Sequence, residues 1–394
     1  MRRIARLLLI AFIESFAATC VQRGIYFYST EALKFSDADN LWLALSFGAV
    51  YVLGALSSHR LSVRLKERSL LALSIGGQLV IHLVMALWSG RELPGLAGVI
   101  FVGCALLGFA NGIKWPLVES YISAGWTPAE QARAIGLFNV SWATALPLAL
   151  AATGPIVARA PAVLFLLPGV LNAVCLWLIR PLPARPVHLP RDHPERPPAG
   201  QMVRFRSLLA ASRWLMLCSY SLLWILAALM PRILRDVNFS VESASGLSGL
   251  MDLLRLSAFV ALGLWSGWHY RACPLLVAAG ALPAGFLMVL SGFSAPVVLA
   301  GEMIFGFSAG LVYYSALYYA MVVKNAAVDA GGAHESLIGT GFAVGPAAGL
   351  VGLALMPVFN DKVAGILVGV GPVMALCAAG ALWQIAKAGR RIDK

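Results

Sequence analysis

The chain has 394 residues, of which 60% are hydrophobic and only 12% are charged, and its mean hydropathy is +0.81. A soluble globular protein has about 25% charged residues, so this composition excludes a soluble domain and indicates a lipid bilayer as the solvent. The net charge of +12 does not indicate a nucleic-acid-binding protein, because the basic residues stand between apolar segments and form no basic domain.

The N-terminus has the pattern of a signal peptide, since Arg2, Arg3 and Arg6 precede an apolar segment. Glu14 interrupts that segment, however, and the apolar character continues as far as Tyr28. We therefore expect a retained first transmembrane helix.

Twelve segments have the roughly 20 mostly apolar residues that a transmembrane helix needs. Each is expected to be helical, because lipid offers the backbone no hydrogen-bond partner. The segments are 4–28, 40–58, 69–88, 96–122, 132–157, 161–179, 208–235, 244–267, 273–293, 297–323, 334–357 and 363–386. The sequence therefore predicts an all-α membrane protein with twelve transmembrane helices.

A polar stretch rich in proline and arginine occupies residues 180–207. Its prolines prevent a regular helix, so it is interpreted as a linker. This linker separates an N-terminal unit of six helices at 1–179 from a C-terminal unit of six helices at 208–394.

The loop charges predict the orientation in the membrane. With the N-terminus in the cytoplasm, twenty Lys and Arg residues lie in cytoplasmic segments. The other face then has only five, which are Lys34, Arg91, Arg159, Arg235 and Lys362. Basic residues accumulate in cytoplasmic loops, so both termini and the linker are predicted to be cytoplasmic.

The fourth apolar segment carries polar residues that lipid alone does not tolerate: Lys114, Pro116 and Glu119. The segment contains Gly-Phe-Ala-Asn-Gly from residue 108, and half a chain length later Gly-Phe-Ser-Ala-Gly stands at residue 306. A repeat at half length within membrane-like sequence indicates a duplicated transporter whose two halves enclose a binding site.

Twelve helices, a basic central linker and matching halves resemble the major facilitator superfamily over the whole chain. The loop after the second helix keeps the family's glycine at Gly54 and arginines at Arg60 and Arg64, but Ser58 stands at its acidic position. The glycine–proline pattern that the family's antiporters carry in the fifth helix is found in the eleventh, from Gly341 to Gly349. The resemblance implies two pseudo-symmetric six-helix bundles and a central cavity lined by helices 1, 4, 7 and 10.

Glu14 is predicted to couple transport to protons. Glu14 in helix 1 and Lys114 in helix 4 lie at similar depth, given a rise of about 1.5 Å per residue, so they can form an ion pair. A nearby cation competes with the proton for a buried carboxylate, so proton occupancy can be switched. The alternative is a static ion pair that holds the two helices together. Glu119 is a second candidate for proton coupling, with a gate contact to a loop arginine and substrate binding as alternatives.

The predicted substrate-binding residues combine cations with polar and aromatic groups. Arg23 can bind an anionic group through its planar guanidinium, or it can extend to the membrane interface instead. Tyr314 and Tyr318 lie on one helical stripe, which can contact substrate or serve only in packing. The full set is Arg23, Asn111, Lys114, Trp115, Tyr314 and Tyr318.

A third group of residues is predicted to act in gating or in structure. Asp252 and Arg255 are three residues apart on helix 8 and can pair with each other, and Glu335 begins helix 11 at the membrane edge. The group is Arg60, Arg64, Asp252, Arg255, Glu335, Gly345 and Pro346.

The sequence contains none of the nucleotide-loop, hydrolase or paired-cysteine zinc motifs, so we predict a protein that is not an enzyme and needs no cofactor or metal. We predict a secondary active transporter of a small amphipathic or anionic organic solute that exports its substrate in exchange for protons. The alternatives are uptake of an anionic metabolite and a non-transporting receptor or scaffold on the same fold. The predicted partners are a small-molecule substrate, protons and the lipids of a bacterial-type inner (plasma) membrane, with no nucleic acid, and the protein is predicted to be a monomer.

Overall fold

The structure is a computed structural model that describes residues 2–91, 93–126, 128–187, 199–324 and 328–389. The helices of the N-terminal half are α1 Arg2–Gln22, α2 Gly24–Ala32, α3 Asp37–Leu65, α4 Glu67–Gly90, α5 Leu96–Ser123, α6 Pro128–Arg159 and α7 Val163–Leu178. Those of the C-terminal half are α8 Ala199–Asp236, α9 Val241–Ser248, α10 Leu250–Leu264, α11 Cys273–Ser291, α12 Ala295–Lys324, α13 Val328–Phe359 and α14 Lys362–Gly389.

These helices form twelve membrane spans. Eleven segments are long and apolar enough to cross a bilayer, and α7 is a shorter apolar helix at the position of the sixth span. The first span consists of α1 and α2, which are separated at Arg23, and the eighth consists of α9 and α10, which are separated at Gly249. The predicted all-α fold with twelve transmembrane helices is confirmed.

The two sides of the bundle are named here by the linker. Because successive spans run in opposite directions, the start of α1, the linker and the end of α14 lie on one side, called the linker side. The other is called the opposite side.

The helix that follows the linker begins earlier than the sequence predicts. The predicted linker ends at residue 207, whereas α8 begins at Ala199. The prolines that argue against a helix all precede Ala199, and the segment from there to Ser207 contains none. Residues 188–198 of the linker lie outside the described residues.

The half-length sequence repeat corresponds to one close helix crossing in each half. A Cβ atom added at Gly112 of α5 would lie 2.2 Å from the carbonyl oxygen of Tyr51 in α3. In the second half, a Cβ atom added at Gly306 of α12 would lie 2.0 Å from the carbonyl oxygen of Met251 in α10. Any side chain at either glycine would force the two backbones apart. The repeated glycines are therefore needed for the same kind of close helix packing in both halves.

Several helix pairs join the halves to each other, and two of them lie on either side of the central cavity. Along α3 and α13 the backbones approach closely, since a Cβ atom at Gly48 would lie 2.4 Å from the carbonyl oxygen of Phe342. On the opposite side α6 packs against α9, where the Ser245 hydroxyl donates a hydrogen bond of 2.7 Å to the carbonyl of Leu150. The space between these two contacts contains the central cavity.

Candidate functional site

A central cavity of about 110 Å³ lies between the two halves. Its N-terminal wall consists of Ser15, Ala18, Thr19, Gln22, Arg23, Tyr51, Trp115, Glu119, Phe138, Trp142 and Leu146. Its C-terminal wall consists of Tyr220, Leu223, Trp224, Asp252, Arg255, Tyr313, Glu335, Ile338 and Phe342. Both halves therefore contribute charged and aromatic side chains to one space, with α3, α6, α10 and α13 adding to the helices that were predicted to line it.

The end of the cavity nearer the opposite side has a cluster of two cations and one anion. Arg23 forms an ion pair with Asp252 across the two halves, and an Nη1 atom of Arg255 lies 3.5 Å from Oδ1 of the same carboxylate. All three side chains are at least nine-tenths buried. One carboxylate thus contacts two guanidinium groups at this end, and the buried carboxyl of Glu302 on α12 lies within electrostatic range of Arg23 and Asp252.

The breaks in the first and eighth spans meet at this cluster. Arg23 separates α1 from α2, and its Nη2 atom donates a hydrogen bond of 3.2 Å to the carbonyl of Ser248, where α9 ends. Carbonyls at the end of a helix lack a partner within that helix, so a buried cation is a favourable donor there. Broken membrane helices that line a cavity are common at transport sites.

The end of the cavity nearer the linker side contains two carboxyl groups in contact. The side chains of Glu119 on α5 and Glu335 on α13 are within hydrogen-bonding contact, and the Tyr51 hydroxyl on α3 also donates to Glu335. Two carboxyl groups can hydrogen-bond to each other only when one of them carries a proton. This contact therefore joins the halves and contains a proton when it is formed.

Aromatic rings form the walls between the charged ends. The Trp224 ring stacks on Phe342 with their centroids 3.7 Å apart, and Tyr51 contacts Phe342 edge to face. The indole nitrogen of Trp224 is buried and has no hydrogen-bond partner among the described residues. The walls are thus largely apolar, and they include one buried donor without a partner.

Glu14 and Lys114 form an ion pair outside this cavity. Nζ of Lys114 donates to Glu14 at 2.7 Å and to Gln78 at 3.1 Å, and Asn172 donates to both carboxylate oxygens of Glu14. Both charged side chains are 0% exposed, and all four residues belong to the N-terminal half. The series of hydrogen bonds continues to His82, whose Nδ1 atom lies 2.8 Å from Oδ1 of Asn172. The pair joins α1 to α5 inside one half.

The remaining predicted binding residues lie in three places. Trp115 lines the central cavity, with the Lys114 ammonium 4.8 Å from its ring centroid. Asn111 is buried and donates to the carbonyl of Leu107, one turn back on its own helix. Tyr314 and Tyr318, the predicted stripe, line a separate groove between the halves on the linker side. Tyr313, which precedes Tyr314 in the sequence, lines the cavity instead.

The predicted gating and structural residues lie in different parts of the structure. Asp252, Arg255 and Glu335 line the cavity, whereas Arg60 and Arg64 are exposed near the linker-side end of α3, without an ion pair among the described residues. In the eleventh-helix motif, a Cβ atom at Gly345 would lie 2.0 Å from the Ser221 carbonyl oxygen of α8. This glycine, which precedes Pro346, thus packs two helices of the same half together.

Sequence reasoning did not identify several residues of the cavity. Tyr51, Trp142 and Phe342 lie in helices that were not expected to line it, whereas Tyr220 lies in the seventh span, which was. Single aromatic residues in apolar helices carry no distinguishing signal. Asp252 was interpreted as the partner of Arg255 because they are three residues apart. The sequence could have indicated Arg23 as a second partner of Asp252, because an arginine buried in another span also needs a counterion.

Comparisons with known proteins place this arrangement in a family. The model of the Major Facilitator Superfamily matches residues 7–350. A POT family transporter in complex with a thioalcohol-conjugated peptide superimposes with a TM-score of 0.76 at 12% identity, covering 99% of this chain and 96% of that chain. The human organic anion transporter MFSD10 (TETRAN) gives 0.62 at 16%, covering 96% and 99%. The nucleoside transporter NupG gives 0.64 at 11%, covering 100% of both chains. At these identities the likeness shows the fold alone, and no curated protein matches the sequence.

Proposed function

The chain belongs to the major facilitator superfamily, and we propose that it is a secondary active transporter of a small organic solute, either amphipathic or anionic. The proposed site is the central cavity, because it is lined by both halves and inter-half contacts close it at both ends. Rocking of the halves would break one set of contacts at a time and expose the site to each side in turn.

The observation that carries this proposal is the sharing of one carboxylate by two guanidinium groups. Among the residues that line the cavity, Asp252 is the one carboxylate in contact with Arg23 and Arg255, so this end has one positive charge in excess when the nearby buried carboxyl of Glu302 is protonated. Nε of Arg255 has no hydrogen-bond partner among the described residues. A carboxylate or phosphate group of a substrate supplies both the missing charge and the missing acceptor.

The proposed substrate contacts therefore retain part of the predicted set and extend it. Arg23 and Trp115 remain, and Arg255 and Trp224 are added because both line the cavity and each has a buried donor without a partner among the described residues. Stacked aromatic walls suit an apolar or planar body, so an amphipathic anion fits this cavity better than a purely polar solute.

Proton coupling is proposed at Glu119 together with Glu335, and a structural role is proposed for Glu14. The first two carboxyl groups belong to different halves and contact each other. Loss of their shared proton leaves two negative charges in contact, which drives the halves apart on the linker side. Glu14, in contrast, is paired inside one half and does not line the cavity.

The linker side is proposed to face the cytoplasm of a bacterial-type plasma membrane, on the distribution of basic residues. Opening this side then releases the proton into the cytoplasm. Closing it again requires a new hydrogen-bond donor between the two carboxylates. We therefore propose export in exchange for protons by a monomer, and uptake of an anion together with a proton is the alternative.

The test combines binding with flux. Purified protein is screened by thermal shift against a panel of organic anions and their neutral amides at pH 5.5 and 7.5. An anion at about 100 times its Kd should stabilise the protein by about 2.7 kcal/mol. Arg255→Gln should abolish this shift, whereas the exposed control Arg271→Gln should retain it.

The anion identified in this way is then loaded into proteoliposomes under an imposed pH gradient. Proton-driven flux of the anion supports the transporter, and its direction relative to the proton gradient distinguishes export from uptake. Anion binding without any flux would favour the receptor alternative. No stabilisation by any anion, or equal stabilisation of Arg255→Gln, would refute the proposed site.

A further inference from the structure

A second space between the halves opens on their outer surface on the linker side. This groove, of about 530 Å³, lies between α6 of one half and α10 and α12 of the other. Ligand sites in proteins are typically about 300–1,000 Å³, so the groove has that size, whereas the central cavity at about 110 Å³ is below it. The groove is therefore large enough for a molecule that the closed central cavity cannot yet accept.

The walls of the groove are apolar and its mouth is basic. Leu137, Val140 and Val260 are exposed apolar side chains of the walls, and in a membrane they face acyl chains. Arg133 lies near the linker-side start of α6, is exposed, and has no ion pair or hydrogen bond among the described residues. From Arg133 to Val140 the groove extends about 10 Å along the helix, at a rise of about 1.5 Å per residue.

Three aromatic rings separate the groove from the central cavity. Trp142 of α6 contacts Phe259 of α10 and Tyr313 of α12 edge to face, with centroids 5.4 and 5.3 Å apart. Trp142 and Tyr313 line the cavity, while Phe259 lines the groove. The indole of Trp142 also donates to Asn139 at 3.0 Å, and Asn139 lies on the groove side.

This partition is divided between the two halves. Trp142 belongs to the N-terminal half, and its two ring partners belong to the C-terminal half. The rings are held together by packing, without a bond across the halves, so the proposed rocking motion would also separate them. Their separation would connect the groove with the cavity.

We propose that the groove is the site at which a single-chain anionic amphiphile, of the long-chain fatty-acid type, leaves the linker-side leaflet and approaches the central cavity. This inference rests on the proposed function and specifies its substrate class. The carboxylate lies against Arg133 at the level of the lipid headgroups, and the chain lies between α6 and α10. The volume of the groove, about 530 Å³, favours one chain over two.

The experiment uses photoactivatable palmitate, with a diazirine near the chain end, on the full-length protein in phosphatidylcholine liposomes. Labelled peptides are located by mass spectrometry, and hexadecanol with the same diazirine is the neutral comparison. The palmitate probe should label residues 133–140 and 259–269. Arg133→Gln should lower its labelling about fivefold, the effect of one basic residue near a membrane surface.

A second variant blocks the groove without changing charge. A Cβ atom at Gly263 would lie 3.3 Å from the Tyr314 hydroxyl, so Gly263→Trp places its ring in the groove and should reduce labelling to background. Gly280→Trp is the matched control, since Gly280 is exposed on α11 with nothing within 4 Å of an added Cβ atom. It should label as the wild type does.

Equal labelling by palmitate and hexadecanol, or labelling unaffected by Arg133→Gln, would show a groove that only bulk lipid fills and would overturn the inference. Because Arg133 is exposed, its variant keeps the test decisive if Gly263→Trp fails to fold. If the groove labelling fails in this way but anions still stabilise the protein and Arg255→Gln abolishes that stabilisation, the further inference is wrong and the proposed function is retained. Anion-selective groove labelling without stabilisation through Arg255 would instead refute the proposed central site and support the groove.

Discussion

Replacement of Glu14 distinguishes a structural ion pair from a proton-coupling residue. In Glu14→Gln the ammonium of Lys114 keeps Gln78 as a neutral acceptor but loses its counterion in a site with no solvent exposure. Removing one partner of a buried ion pair costs about 3–5 kcal/mol, because the remaining charge is left uncompensated. We expect Glu14→Gln and Lys114→Met each to lower stability by about this amount.

The double variant Glu14→Gln/Lys114→Met removes both charges together. It should be less destabilised than the sum of the two single variants, and the difference is the coupling energy of the pair. The measurement is denaturant unfolding of the purified protein in detergent micelles, followed by tryptophan fluorescence. Glu31→Gln is the matched control, because Glu31 pairs with Arg235 at the surface, where an ion pair contributes about 0–1 kcal/mol.

The reasoning is refuted if Glu14→Gln is no more destabilising than Glu31→Gln. If, in addition, Glu14→Gln abolished the pH dependence of flux while Glu119→Gln preserved it, proton coupling would belong to Glu14. A destabilised Glu14→Gln that still transports with unchanged pH dependence is the expected result.

Three further variants test other parts of the structure. Glu335→Gln replaces the shared proton by permanent amide hydrogens, so closure of the linker side should become independent of pH. The measurement is chemical labelling of a cysteine placed at Ile338. Without Glu335→Gln this labelling should rise as pH rises and the proton is lost, and with it the labelling should stay constant. Trp224→Phe keeps the stacking on Phe342 but removes the free indole donor, so anion affinity measured by thermal shift should fall several-fold while the melting temperature without ligand changes little. Gly306→Ala forces a methyl group to within about 2 Å of a carbonyl oxygen, so it should lower the free energy of unfolding in detergent by about 1–3 kcal/mol. Gly280→Ala should leave that free energy unchanged.

The fold was predictable because lipid restricts the backbone to few solutions. Apolar segments of sufficient length must be helices, so the number of spans and the separation into halves followed from hydropathy alone. The half-length repeat was equally readable, since Gly108, Gly112, Gly306 and Gly310 are required where two backbones approach. The start of α8 at Ala199 was missed because a polar helix end that projects beyond the lipid has no hydrophobic signal.

The site was less predictable than the fold, because contacts between the halves are not encoded by local spacing. Depth along a helix placed Glu14 opposite Lys114 within one half. It did not identify Arg23 as the partner of Asp252, or Glu119 as the neighbour of Glu335, since each pair joins residues more than 200 positions apart. Tyr313 and Tyr314 are adjacent in sequence but face the cavity and the groove respectively, a difference that depends on the rotation of α12.

The contacts that close the two sides differ in kind, and this difference gives a direction to the proposed cycle. On the opposite side, the described residues form inter-half ion pairs between Arg23 and Asp252, Glu31 and Arg235, and Asp37 with both Arg232 and Lys362. On the linker side, the described residues form one such contact, the cluster of Tyr51, Glu119 and Glu335. Of these described closures, this one contains an exchangeable proton between two carboxyl groups, so we propose that pH acts on the linker side. In the proposed cycle, the opposite side opens when a substrate anion competes with Asp252 for its guanidinium partners. Proton and substrate would then act at different ends of one cavity, and the rocking of the halves would link their binding.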